Sequence, residues 1–165
     1  MAVMKTLRFL LVGAVLLSSA IVTPAASDVS HALAVGVRQH TETDRTDLKS
    51  FAFEDDLAYG FSYQCREGLS FWQLGLMYTP SPSSASDVDY VITPEMDLVF
   101  GEEIWRLGVG MLKDYVNNET SGGDWSDIYW QVMAGVGFPL GSMRLEVMAH
   151  YVFDAWGDID DFDVE

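Results

Sequence analysis

Hydrophobic and polar residues alternate with a period of two along most of the chain, most plainly in MRLEVMAHYVFDAW, Met143 to Trp156. One set of positions reads Met143, Leu145, Val147, Ala149, Tyr151, Phe153 and Ala155; the other carries Arg144, Glu146, Met148, His150, Val152, Asp154 and Trp156. Successive side chains of a strand point to opposite faces, so this pattern predicts a strand with one apolar face and one charged face. Six earlier segments share the design: ALAVGVRQH, FAFEDDLAYGFSYQCR, SFWQLGLMY, YVITPEMDLVFG, WRLGVGMLKDY and IYWQVMAGVGFPL. None has a helical period, and the chain reads as all-β with seven clear strands. Pro94 interrupts the fourth segment, where a bulge or a strand start near Glu95 is expected because proline lacks a ladder donor.

The contents of the two faces decide which of them meets water. A soluble sheet keeps Lys, Glu and Thr on its outer face, whereas the non-apolar positions here hold mostly Gly, Ala, Gln and isolated charges, as suits a crowded interior. The apolar stripe is bracketed by aromatics: Trp72 and Tyr78, Tyr90 and Phe100, Trp105 and Tyr115, Trp130 and Phe138, with Tyr151 and Phe153 in the last segment. Ten residues at ~3.3 Å each, tilted by about 40°, cover roughly 25 Å, the height of the lipid-facing band of a transmembrane barrel. The aromatics then form girdles at the two membrane interfaces. Short links (REG, GEE, PLGS) alternate with long polar ones (TETDRTDLK, TPSPSSASDVD, VNNETSGGDWSD, GDIDDFD), the asymmetry of periplasmic turns and extracellular loops. The expected fold is an antiparallel up-and-down transmembrane β-barrel.

Residues 1–27 read as a helical signal peptide. Lys5 and Arg8 precede the apolar run FLLVGAVLLSSAIV, and small residues follow it in TPAAS. Residues 28–165 are then the barrel domain. With 25 acidic and nine basic residues, the net charge of −16 argues against nucleic acid and anionic surfaces as partners. The single cysteine, Cys65, permits no internal disulfide and is expected as a small buried or lipid-side residue.

On these features the chain resembles the small eight-stranded outer-membrane barrels of Gram-negative bacteria, the group that includes the membrane domain of outer membrane protein A and its porin-like relatives. The resemblance is one of pattern over residues 31 to 165 and has no short motif behind it. It implies residence in the bacterial outer membrane, contact with its lipid and insertion by its assembly machinery. One departure stands out: the eighth strand is only begun by Phe162 to Glu165, and the chain reads as lacking its closing strand.

The inward positions place Arg38, Glu95, Asp97, Arg106, Gln131, Arg144, Glu146 and His150 in the lumen, where eight strands leave room for little beyond side chains. A polar network that fills the lumen is the expected result, with a structural or surface-interaction role for the protein. The alternative is a narrow porin for small solutes. A lipid A-modifying enzyme is disfavoured, because His150 has Val152 and no serine at the neighbouring same-face position. A secreted lipocalin-like carrier would invert the observed pattern. No cofactor and no catalytic residue are expected. Divalent cations could meet the acidic loop through Asp158, Asp160, Asp161 and Asp163, but the spacing fits no calcium loop and no metal site is assigned.

Overall fold

The computed structural model describes residues 14–20, 29–40, 56–82, 88–101, 104–120 and 122–153. They form eight strands: β1 (Ala14–Ala20), β2 (Val29–Gln39), β3 (Leu57–Glu67), β4 (Ser70–Pro80), β5 (Val88–Phe100), β6 (Trp105–Asn118), β7 (Gly122–Leu140) and β8 (Met143–Phe153). Strands β2 to β8 make one antiparallel sheet of seven strands in chain order, and β1 pairs with both of its edges to complete a closed barrel. No helix occurs among the described residues.

The N-terminal apolar run departs from expectation. Ala14–Ala20 is a strand where the helical core of a signal peptide was expected, in register with β2 from Ala14↔Arg38 to Ala20↔Ala32 and with β8 from Ala14↔Met148 to Ser19↔Met143. A curled sheet brings two edges with unpaired N–H and C=O groups toward each other, and one extended segment between them satisfies both. The seat between β2 and β8 is thus taken by β1. Phe162 to Glu165, and with them the expected start of an eighth strand at the C-terminus, lie outside the described residues, as do Phe51 to Asp55 of the second predicted segment.

Glycine fixes two of the tight turns. Gly68 and Gly141 take positive φ (58° and 66°) as first residues of two-residue links between Glu67 and Ser70 and between Leu140 and Met143. Such hairpins need a left-handed residue there to match the twist of the strands. The link VNNETSGGDWSD is not a long loop: β6 runs to Asn118 and β7 starts at Gly122, so most of its residues belong to a hairpin. The strict alternation of short and long links fails at this point. Pro94 neither starts β5 nor carries a bulge in it. The strand passes through it opposite Leu76, and the ladder to β6 skips only from Ile92↔Tyr115 to Glu95↔Leu112. The register shifts lie elsewhere, between Val88 and Tyr90 at the start of β5 and between Lys113 and Tyr115 in the β6–β7 pair.

The barrel is apolar outside and polar within. Val35, Phe61, Leu74 and Trp105 are 60%, 59%, 55% and 72% exposed on the outer face, while a small apolar cluster of Phe71, Val99, Met133 and Met148 is buried inside. Of the expected girdle, Trp72, Tyr78, Phe100, Trp105, Phe138 and Tyr151 are exposed, and Tyr90, Tyr115 and Trp130 are half-buried. Phe153 departs from the expectation of an exposed girdle position. It stacks on Tyr151 with ring centroids 6.0 Å apart and is only 5% exposed.

Candidate functional site: the polar lumen

Alternation sends Gln64 and Arg66 of β3, Gln73 of β4, Glu95 and Asp97 of β5, Arg106 of β6, Gln131 of β7, and Arg144, Glu146 and His150 of β8 to the inside of the wall. Room for them comes from glycine on the neighbouring strand. A Cβ on Gly75 would sit 2.7 Å from Glu95 Cγ, and one on Gly137 would sit 3.0 Å from a terminal nitrogen of Arg106. Gly110, the ladder partner of Asp97, makes way for that carboxylate in the same fashion. Gly75, Gly110 and Gly137 are therefore complementary to lumenal charges, whereas Gly60, Gly108 and Gly135 make room for Met77, Met133 and Met148.

Two ionic groups result. Toward the tight-turn end, Glu146 Oε1 accepts from Arg66 at 3.1 Å and from Arg106 at 3.3 Å, and Gln64 Nε2 donates to Oε2 at 3.3 Å. Arg66 also donates to Gln64 Oε1 at 2.5 Å and lies 4.0 Å over the Phe71 ring. Arg106 further donates to the carbonyl of Trp105 at 2.8 Å. Arg144, two residues before Glu146 on the same inner face, is half-buried at this end. In the second group, Arg38 of β2 reaches across the lumen to Glu95 of β5 at 2.8 Å, and both side chains are nearly fully buried.

An amide and carboxylate chain runs from the first group through the middle. Gln64 donates to Gln73 at 2.8 Å, Gln73 to Asp97 Oδ2 at 3.2 Å, and Gln131 to Asp97 Oδ1 at 2.6 Å. Because the Gln131 amide nitrogen faces Asp97, its oxygen faces His150 Nδ1 at 3.0 Å, so Nδ1 is assigned the hydrogen. His150 Nε2 and Ser62 Oγ are both buried without a hydrogen-bond partner, so these two make no serine and histidine pair. At the long-loop end, Asp114 Oδ1 accepts from Thr93 at 2.5 Å and the Asp114 amide donates to Ser126 Oγ at 2.9 Å.

Of the sequence-predicted lumen residues, Arg38, Glu95, Asp97, Arg106, Gln131, Glu146 and His150 thus join the hydrogen-bonded groups described above, and Arg144 shares their face. Missed were Gln64 and Gln73, which connect Glu146 to Asp97, and Arg66, Thr93, Asp114 and Ser126. All but Ser126 stood on inward positions of predicted strands, whereas Ser126 fell in a link that reads as a loop. Asp158, Asp160, Asp161 and Asp163 lie outside the described residues. His40 is buried and bound through its backbone N–H to the Asp56 carbonyl at 2.9 Å. Cys65 is a half-buried free thiol.

Gln131 joins the middle chain to His150. Gln131→Leu removes a donor from one buried Asp97 oxygen and the acceptor of His150 Nδ1, and a cost of about 1–3 kcal/mol is expected. A urea midpoint lowered at unchanged slope checks it. The arrangement packs and pairs polar groups along the chain from Glu146 to His150. Comparison with family models, with curated proteins and with solved structures finds no match to this chain.

Proposed function

We propose that the protein is a non-enzymatic β-barrel of the bacterial outer membrane, exported by its N-terminal leader, with a lumen filled by side chains and acidic long loops that present a structural or interaction surface. The observation that carries this reading is the inverted polarity of the wall. More than twenty large apolar side chains are exposed, including Leu33, Val35, Phe61, Trp72, Leu74, Leu107 and Val109, while charged and amide residues are buried. Soluble monomers rarely expose contiguous apolar patches beyond about 300–600 Å². Bilayer lipid satisfies such a surface, and a closed ladder satisfies the backbone within it.

The leader and the closing strand draw on the same residues. Removal of residues 1–27 takes β1 away and leaves β2 and β8 with facing open edges, so a processed barrel requires another strand in that seat. A narrow porin is the weaker reading, because Arg38 reaches Glu95, and Gln64 and Arg66 reach Glu146, between strands that are not neighbours in the wall. The test is fractionation of the expressed chain, then electrophoresis of the detergent extract with and without boiling. The expected outcome is an outer-membrane band whose mobility shifts on heating. A folded chain in the soluble fraction would overturn the reading.

A further inference from the structure

The described residues hold five basic side chains, and four of them, Arg38, Arg66, Arg106 and Arg144, occupy the inner face. Lys113 is the exception. It lies on the outward face of β6, in line with Leu107, Val109 and Met111, opposite Ile128 of β7. Its ammonium lies 5.7 Å from the centre of the Trp125 ring, and it makes no hydrogen bond or ion pair among the described residues.

The surroundings of Lys113 are built. The bulge opposes Asp114 with one residue too many on β7, Lys113 pairing with Ile128 but Tyr115 with Trp125. An extra residue reverses the alternation beyond it. Ser126 consequently points inward and Trp125 outward, where its ring meets Tyr115 at 5.1 Å and 58°. Gly123 completes the fit, since a Cβ there would collide with the Tyr115 hydroxyl. Register carries the row further: Tyr59↔Tyr78, Tyr78↔Ile92, Ile92↔Tyr115 and Tyr115↔Trp125 lie on one rung across β3 to β7, at the long-loop end. Such aromatics settle at headgroup depth, and a lysine one outward position deeper extends its stem along them to bring its ammonium to the same level.

We propose that Lys113, Tyr115 and Trp125 form a contact site for the phosphate of a membrane-lipid headgroup at the long-loop rim. The inference rests on the membrane reading above. Lys113 supplies the donor, the Trp125 ring holds the ammonium in place, and the phosphate is a counter-charge that no described residue provides.

The test reconstitutes the full chain in detergent with phosphatidic acid or with digalactosyl diacylglycerol, which has no phosphate, and counts retained lipid by native mass spectrometry. The wild type is expected to retain phosphatidic acid in preference. Lys113→Gln is expected to lose that preference by about tenfold, the scale of one charge-assisted hydrogen bond, and Lys113→Arg to keep it. The heat-shifted band monitors folding of each variant. Equal retention by the wild type and Lys113→Gln overturns the proposal, and so does displacement of the lipid by inorganic phosphate, which would mark a free-phosphate site. A chain that enters membranes yet fails this test loses only this inference; one that stays in water loses both.

Discussion

Replacing Glu146 by alanine is expected to lower the unfolding free energy by about 3–5 kcal/mol. The carboxylate is shared. One of its oxygens accepts from both Arg66 and Arg106, and the other accepts from Gln64. The two arginines do not suffer equally from its loss. The Arg66 side chain is 21% exposed and can turn toward solvent at the tight-turn mouth, whereas that of Arg106 is 1% exposed and sits where Gly137 clears the wall for it. A buried guanidinium that has lost the Glu146 carboxylate bears most of the cost, and its hydrogen bond to the Trp105 carbonyl does not replace that charge. The double variant Glu146→Met with Arg106→Met is therefore expected to be more stable than Glu146→Ala alone, because it removes the buried guanidinium along with the carboxylate. Urea unfolding of the reconstituted protein measures both. A double variant no better than the single one would show that Arg106 finds water or another acid, and that the lumen is wetter than its packing implies.

The strands and the sidedness of the lumenal charges were legible because period-two alternation survives wherever pairing is regular. Arg38, Glu95, Asp97, Arg106, Gln131, Glu146 and His150 were placed on the inner face by parity alone. Their partners were not legible. Arg38 meets Glu95 across 57 residues of sequence, and that meeting depends on how the closed sheet is staggered, which no local pattern records. Parity also fails where an extra residue enters a strand. The β6–β7 bulge turned Trp125 outward from a Gly- and Asp-rich stretch that reads as a loop, and so the ring beside the Lys113 ammonium was missed. Phe153 shows the opposite error, an outward position by parity that is nevertheless covered. The apolar run at Ala14–Ala20 exposes a further limit. A short hydrophobic segment without alternating polarity fits a helix or a strand equally, and the two open edges of β2 and β8 decided between them.

Leu74→Arg bears directly on the membrane reading, since its cost depends on what lies outside the wall. Leu74 is 55% exposed near the middle of β4, flanked by its ladder partners Tyr63 and Met96. If water surrounded the barrel, an arginine at so open a position would change stability by no more than about 0.5 kcal/mol, as surface substitutions do. Lipid at the same place makes the guanidinium cost about 2–4 kcal/mol near the bilayer midplane, falling to about 0–1 kcal/mol at the interfaces. Leu69 supplies the comparison, because it is 61% exposed in the tight turn between β3 and β4, at the end of the wall. The expected result is a large loss for Leu74→Arg and a small one for Leu69→Arg, measured by reversible urea titration in dilauroyl phosphatidylcholine vesicles. Equal and negligible costs would mean that the apolar face meets neither hydrocarbon nor any other dry surface. Equal and large costs would point to a protein partner that covers the whole wall, because only a bilayer grades its penalty by depth.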